Sequence, residues 1–233
     1  GKNAVARMES DRTIGALQAK IYKSENGTPT DIIDSCGFEI FKSRRIVNHG
    51  HGEKDSAKFN EPKEVFSYEG AVPFWRKKAL LESAIFGEIH DEDFFWYADD
   101  IDLGWRMRLF GWKSFFDPSV IAYHDRSTTK RLSRGWRDFI ALRKTVPIRK
   151  RMLDWQNIHL TFIKNDFAVS ILKSFRPFFA REAKLLIYIL IFEPYTLLAI
   201  PKILRLLPKM LKKRKYIMKH GKTPRKEIEK WFL

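Results

Sequence analysis

The chain has 233 residues, 44% of them hydrophobic and 14% aromatic, and its 44 Lys and Arg against 28 Asp and Glu leave a net charge of +16. That much apolar material suffices for one large core or two small ones and excludes a disordered tail. A single cysteine, Cys36, excludes an internal disulfide and a cysteine-rich zinc site, so a reducing cytoplasm fits best.

The opening GKNAVARMES carries neither the apolar run of a secretory signal nor an initiating methionine, and a fragment is expected. Runs of β type at 14–22 and 38–47 are split by the turn-like SENGTPTD at 24–31. In the loop NHGHGEKD, His49, His51, Glu53 and Asp55 alternate. That spacing would suit a transition metal, but a solvated glycine-rich loop bordering a binding site is the expectation. Gly70 and Pro73 then lead into a helix over 76–85.

The stretch FFWYADDIDLGWRMRLFGW, 94–112, is ambiguous by periodicity alone, since Ile101, Leu103, Trp105, Met107 and Leu109 alternate as a strand would. The end signals favour a helix over 100–110. Asp99 can cap it, Asp102 completes a capping-box-like pair, and Gly111 can close it in the left-handed conformation. A strand near 119–123 then delivers His124. Capping alone is an open reading of Asp99 and Asp102. The surplus carboxylate, Asp100, would stay ionised near the positive helix end and could accept a proton.

Charge divides the chain. Residues 1–125 hold 17 Lys and Arg against 21 Asp and Glu, whereas 126–233 hold 27 against 7. A boundary near 126–132 follows, with domains at 1–128 and 129–233. The second is mainly helical and is interrupted at Pro147, Pro177, Pro194, Pro201 and Pro208. No apolar run reaches the roughly 18 residues of a spanning helix. The segment KLLIYILIFEPYTLLAIPKILRLLPKML, flanked by KKRK at 212–215, suits an interfacial element meeting an anionic membrane surface. Nucleic-acid binding is the rival, but no recognisable motif accompanies the charge, and no specific nucleic acid is expected. A helical bundle with a solvated basic face is the third reading.

GAVPFWRKKAL, then HDEDFFWYADDIDLGWRMRLFGW, then a proline before a strand ending in histidine, together resemble the C-terminal half of a family 2 glycosyltransferase. The likeness covers about residues 14–125 and is closest to rhamnosyltransferase-like members, with Asp99 standing where their pattern has Glu. The resemblance implies an α/β fold: a partial GT-A domain, a mixed sheet with helices, followed by the helical basic region. It also implies inverting transfer of a sugar, for instance rhamnose, from a nucleotide-sugar donor to a cell-surface glycan or polyprenyl-linked acceptor at the inner face of the membrane. Asp100 would be the catalytic base and Asp99 its acidic partner. His124 would help hold Mg²⁺ or Mn²⁺ on the donor diphosphate. Asp102, Arg106, Trp112, Gly70 and Trp96 would bind substrate, with pairing to Asp99 or Asp102 the other role open to Arg106. Asp91-Glu92-Asp93 spells DxD but falls where the family has an ordinary Asp-rich turn. The family's nucleotide-binding half and metal motif find no room here, so the chain by itself is expected to be incomplete. The alternative is a non-catalytic basic membrane- or nucleic-acid-binding module retaining a degenerate transferase remnant.

Overall fold

A computed structural model describes residues 1–126 and 135–233. The boundary expected at 126–132 therefore lies almost wholly outside the described residues. The fold is of the α/β class, about 50% helix and 22% strand.

After helix α1 (Lys2–Ser10) comes β1 (Ile14–Glu25), buried over most of its length, on which the main sheet is built. β2 (Thr28–Ser35) returns antiparallel to its second half. The turn between them is Asn26-Gly27, with φ of 52° and 79°. Two left-handed residues match the twist of a tight hairpin, so the expected eight-residue loop contracts to two. The apolar run at 38–47 divides into β3 (Phe38–Ile40) and β4 (Ile46–Asn48), a small antiparallel pair. β5 (Lys63–Val65) and β6 (Pro73–Trp75) precede α2 (Lys77–Glu82), α3 (Asp99–Leu109) and the long β7 (Lys113–His124). β7 lies parallel to β1, with Lys23 opposite His124; β5 pairs antiparallel with β7, and β6 pairs antiparallel with the first half of β1.

Alternate β1 side chains serve two layers. Leu17, Ala19 and Ile21 pack with Ala4 of α1 and with Val120, while Ala16 meets Tyr68, Ala79, Leu103 and Met107 under α2 and α3. α3 is buried from Ile101 to Leu109, with Asp102, Arg106 and Arg108 enclosed along with the apolar residues, so no one-sided apolar stripe shows in its sequence. It approaches the chain so closely that a Cβ on Gly104 would lie 1.8 Å from Ser67 Oγ. Gly111, at φ 91°, turns the chain from α3 into β7.

The second half holds α4 (Trp136–Thr145), α5 (Ile148–Asn165), α6 (Ala168–Lys173), α7 (Phe175–Phe192), α8 (Ile200–His220) and α9 (Arg225–Glu229). Charge composition changes between the halves; hydrophobic contact does not. Phe66, Trp105, Leu109 and Phe110 share one core with Phe162, Ile217, Ile228 and Phe232. Ion pairs cross the same contact: buried Lys164 joins Asp91 and Asp102, and buried Lys213 lies 2.7 Å from both Asp91 and Glu88. Within KKRK only Lys212 and Lys215 are exposed. Lys213 is enclosed, Arg214 donates to the carbonyls of Ile163 and Asp166, and Lys212 sits over the Phe86 ring.

Candidate active site

A cleft of about 1130 Å³ opens where the start of α3, the 48–53 loop, the Glu69–Ala71 turn and α5 meet. α3 starts from an unusual approach: Tyr97 and Ala98 have φ of 71° and 61°. Left-handed backbone is costly for residues bearing a Cβ and persists where surrounding contacts impose it. Here Asn157, buried on α5, donates through Nδ2 to the carbonyls of Trp96 at 2.8 Å and Tyr97 at 2.9 Å. Ala98 occupies the N-cap and has no side chain that could bond into the first turn. The capping box expected of Asp99 and Asp102 is therefore absent.

Asp100 faces the cleft. Its Oδ2 accepts the Gly70 N–H at 2.9 Å and its Oδ1 the Ile101 N–H at 2.8 Å. Gly70 sits close because it has no side chain: a Cβ there would lie 3.0 Å from Asp100 Cβ. Burial, then the charges of Asp99 and Glu69, push the Asp100 carboxyl up to about 7. Asp99 lies on the half-exposed rim, its Oδ2 3.6 Å from His90 Nδ1. Trp96, 59% exposed, stacks on Tyr97 at 4.5 Å and lines the same opening.

His124 ends β7 at the opposite wall, its Nδ1 2.9 Å from Oδ2 of Asp34 on β2. Asp34 is fully buried and also receives Arg126, at 2.9 and 3.0 Å, while His51 Nδ1 lies 3.3 Å away. Burial opposes its charge, but the hydrogen bonds from His124, His51 and Arg126 win and hold the carboxyl well below the usual range. Arg126 reaches on to Glu69 at 3.1 Å, so a continuous polar chain joins His124 to the neighbourhood of Asp100. These residues do not make a complete divalent-ion site by themselves, although His124 lines the cleft. Asp34 is already neutralised by Arg126, and no group of three or more His, Cys, Asp or Glu among the described residues is arranged to hold a metal.

Three residues expected to bind substrate lie elsewhere. Asp102 and Arg106 are buried against each other at 3.1 Å. Asp102 also takes Lys164 and Asn165, while Arg106 donates to the Ser83 and Ile89 carbonyls, which leaves neither facing the cleft. Trp112 packs in the core beneath Gly15 and borders a different cavity. Asp91 of the DxD triplet is an anchor for Lys164 and Lys213. Although burial disfavours its charge, those lysines keep its carboxyl well below the usual range. The alternating loop residues part company as well: His49 pairs with Glu39, His51 with Asp34, Glu53 with Lys58, and Asp55 with Lys20 and Tyr22. His49, His51 and Glu53 do line the cleft.

No sequence motif points to Asp34, Glu69, Arg126, Lys150, Asp154 or Asn157. Only Glu69, beside Gly70, and Lys150 with Asp154, one helical turn apart, carried any local signal. Burial raises Asp154 and lowers Lys150, whose ammonium lies 4.2 Å from the Tyr97 ring centroid. Helix α5 of the basic half thus forms one wall of the cleft. No family model matches this chain, and no curated protein matches it.

Proposed function

We propose that the cleft is the acceptor side of a glycosyltransferase site of the family 2, GT-A kind, with Asp100 as the base that takes the proton from an attacking sugar hydroxyl. The observation that carries this reading is the state of Asp100. A carboxylate brought to about 7 by burial and by two neighbouring acids is matched to accepting a proton near neutral pH. It is held in place by the backbone N–H groups of Gly70 and Ile101 and is open to a cleft large enough for a sugar acceptor.

Within this reading, displacement at the anomeric carbon inverts configuration. The acceptor C–O bond forms as the bond to the nucleoside diphosphate breaks, and the hydroxyl proton passes to Asp100. Trp96 and Tyr97 offer aromatic faces to a pyranose ring. Asp99 keeps the local field negative, which raises the basicity of Asp100. Arg126 supplies a guanidinium, and His124 a ring nitrogen, on the wall away from the base, where a leaving diphosphate would develop charge. A divalent ion enters the proposal with His124 as one ligand only. The donor is a nucleotide sugar, with rhamnose the sugar favoured by the resemblance, and the acceptor a glycan or polyprenyl-linked glycan.

The test is a product assay with nucleotide-sugar donors and lipid-linked acceptors, using the longest polypeptide that carries this sequence. Asp100→Asn should lower kcat by roughly 10²-fold or more while donor affinity stays within about twofold. Wild-type turnover by that variant would sink the assignment.

A further inference from the structure

We propose that the elbow between α7 and α8 is a lipid-docking wedge that seats the protein on an anionic membrane surface. None of the described helices is by itself long and apolar enough to cross a membrane; α7 and α8 reach that composition together but meet at 113°. The corner is held by a buried charge. Glu193 accepts Arg143 Nε and Arg151 Nη1 at 3.1 Å each and the Tyr188 hydroxyl at 3.0 Å, and Pro194 opens the tight turn that follows. The break is thus a fixed shape, tied by Arg143 to α4 and by Arg151 to α5, which walls the cleft.

Around this corner apolar side chains point outward. Ile187, Leu190 and Ile191 recur at helical spacing on α7, Leu198 at the turn is 71% exposed, and Ile200 and Leu204 continue along one face of α8. A contiguous apolar surface of this kind marks an interaction site. Charge selects the occupant. Lys184 and Arg205 are exposed beside the wedge and Lys202 is half-buried there. The acids of 175–220 are only Glu182, tied to His159 and Arg181, and the enclosed Glu193. A second copy of this face would set cation against cation. A leaflet with phosphate headgroups satisfies both features, accepting the wedge among acyl chains and the cations at its surface.

The inference is independent of the transferase reading, and its test uses no sugar. Cosedimentation of the whole chain with phosphatidylcholine vesicles, with and without about 30 mol% phosphatidylglycerol, should show anionic vesicles binding at least tenfold more tightly, an order-of-magnitude expectation from surface charge. Ile191→Asp should weaken binding roughly tenfold, and Lys184→Gln with Arg205→Gln by about fivefold for each charge removed. Lys215→Gln with Lys219→Gln, at the far end of α8 and roughly 25 Å from the elbow, should change it less than the elbow pair. All five positions are exposed, so the variants should keep the wild-type circular dichroism spectrum and melting temperature. Equal binding to neutral and anionic vesicles, or an equal effect from the far-end pair, would overturn the proposal. So would a dimer in sedimentation velocity that Ile191→Asp dissolves, with no vesicle binding.

Discussion

Ionising Asp100 should cost the folded protein stability, and that cost can be read without knowing the substrate. Its carboxyl rises from 3.8 to about 7 through burial first, then Asp99 and Glu69. A shift of about three units corresponds to a ceiling on the order of 4 kcal/mol, and water in the open cleft reduces this to roughly 2 kcal/mol. The direction follows from linkage. The unfolded chain releases this proton near pH 4 and the folded chain near 7, so between those values the folded state binds more protons and stability falls as pH rises. Below about 4 the penalty is absent; above about 7 it is complete. Asn carries no charge at either pH and still offers a carbonyl oxygen to the Gly70 N–H. Urea unfolding of wild type and Asp100→Asn, compared at about pH 4.5 and 8.5, should therefore show the variant gaining roughly 2 kcal/mol on wild type between the two conditions. Other titrating groups cancel in the difference. An unchanged difference would refute the raised carboxyl, and with it the base. In the transferase assay the same group predicts kcat/KM falling as pH drops through about 7.

Three further outcomes follow from named contacts. Gly104→Ala places a Cβ 1.8 Å from Ser67 Oγ and should destabilise by about 1–3 kcal/mol in urea unfolding, with Ser67→Gly on top of it recovering part of the loss. Asp91→Asn leaves buried Lys164 and Lys213 short of a negative partner, so the melting temperature should drop with a loss of roughly 3–5 kcal/mol; a surface-like loss under about 1 kcal/mol would show that the network is not closed to water. Asn157→Ala frees the Trp96 and Tyr97 carbonyls and should cost about 1–2 kcal/mol. Because Tyr97 and Ala98 set the start of α3, the proposed transferase should lose kcat by a larger factor than its KM changes.

What the sequence by itself determined is local in origin. Gly111 ends α3 because only a residue without a Cβ turns cheaply to φ 91°; in the first hairpin Gly27 turns for the same reason, beside Asn26, whose short polar side chain tolerates the left-handed region. The apolar runs of β1 and the helical second half were legible because their side-chain periods follow from backbone geometry. The cluster Asp99, Asp100, Asp102 was visible too, but not the division of labour within it. On paper the three acids look alike. In the fold, Asp102 turns inward to Lys164, Arg106 and Asn165, Asp99 stays on the rim, and Asp100 is left beside Gly70 with no cation against it. Only the tertiary structure decided that, because the partners come from residues 62 and 30 positions away along the chain. Net charge per segment says nothing about which lysines are buried: Lys164 is enclosed against Asp91 and Asp102, fixing α5 to α3, and Lys213 against Glu88 and Asp91, fixing α8 to the segment before α3. Composition fixes how many charges a chain carries; burial, which depends on what packs over them, fixes which are free to meet a ligand or a membrane.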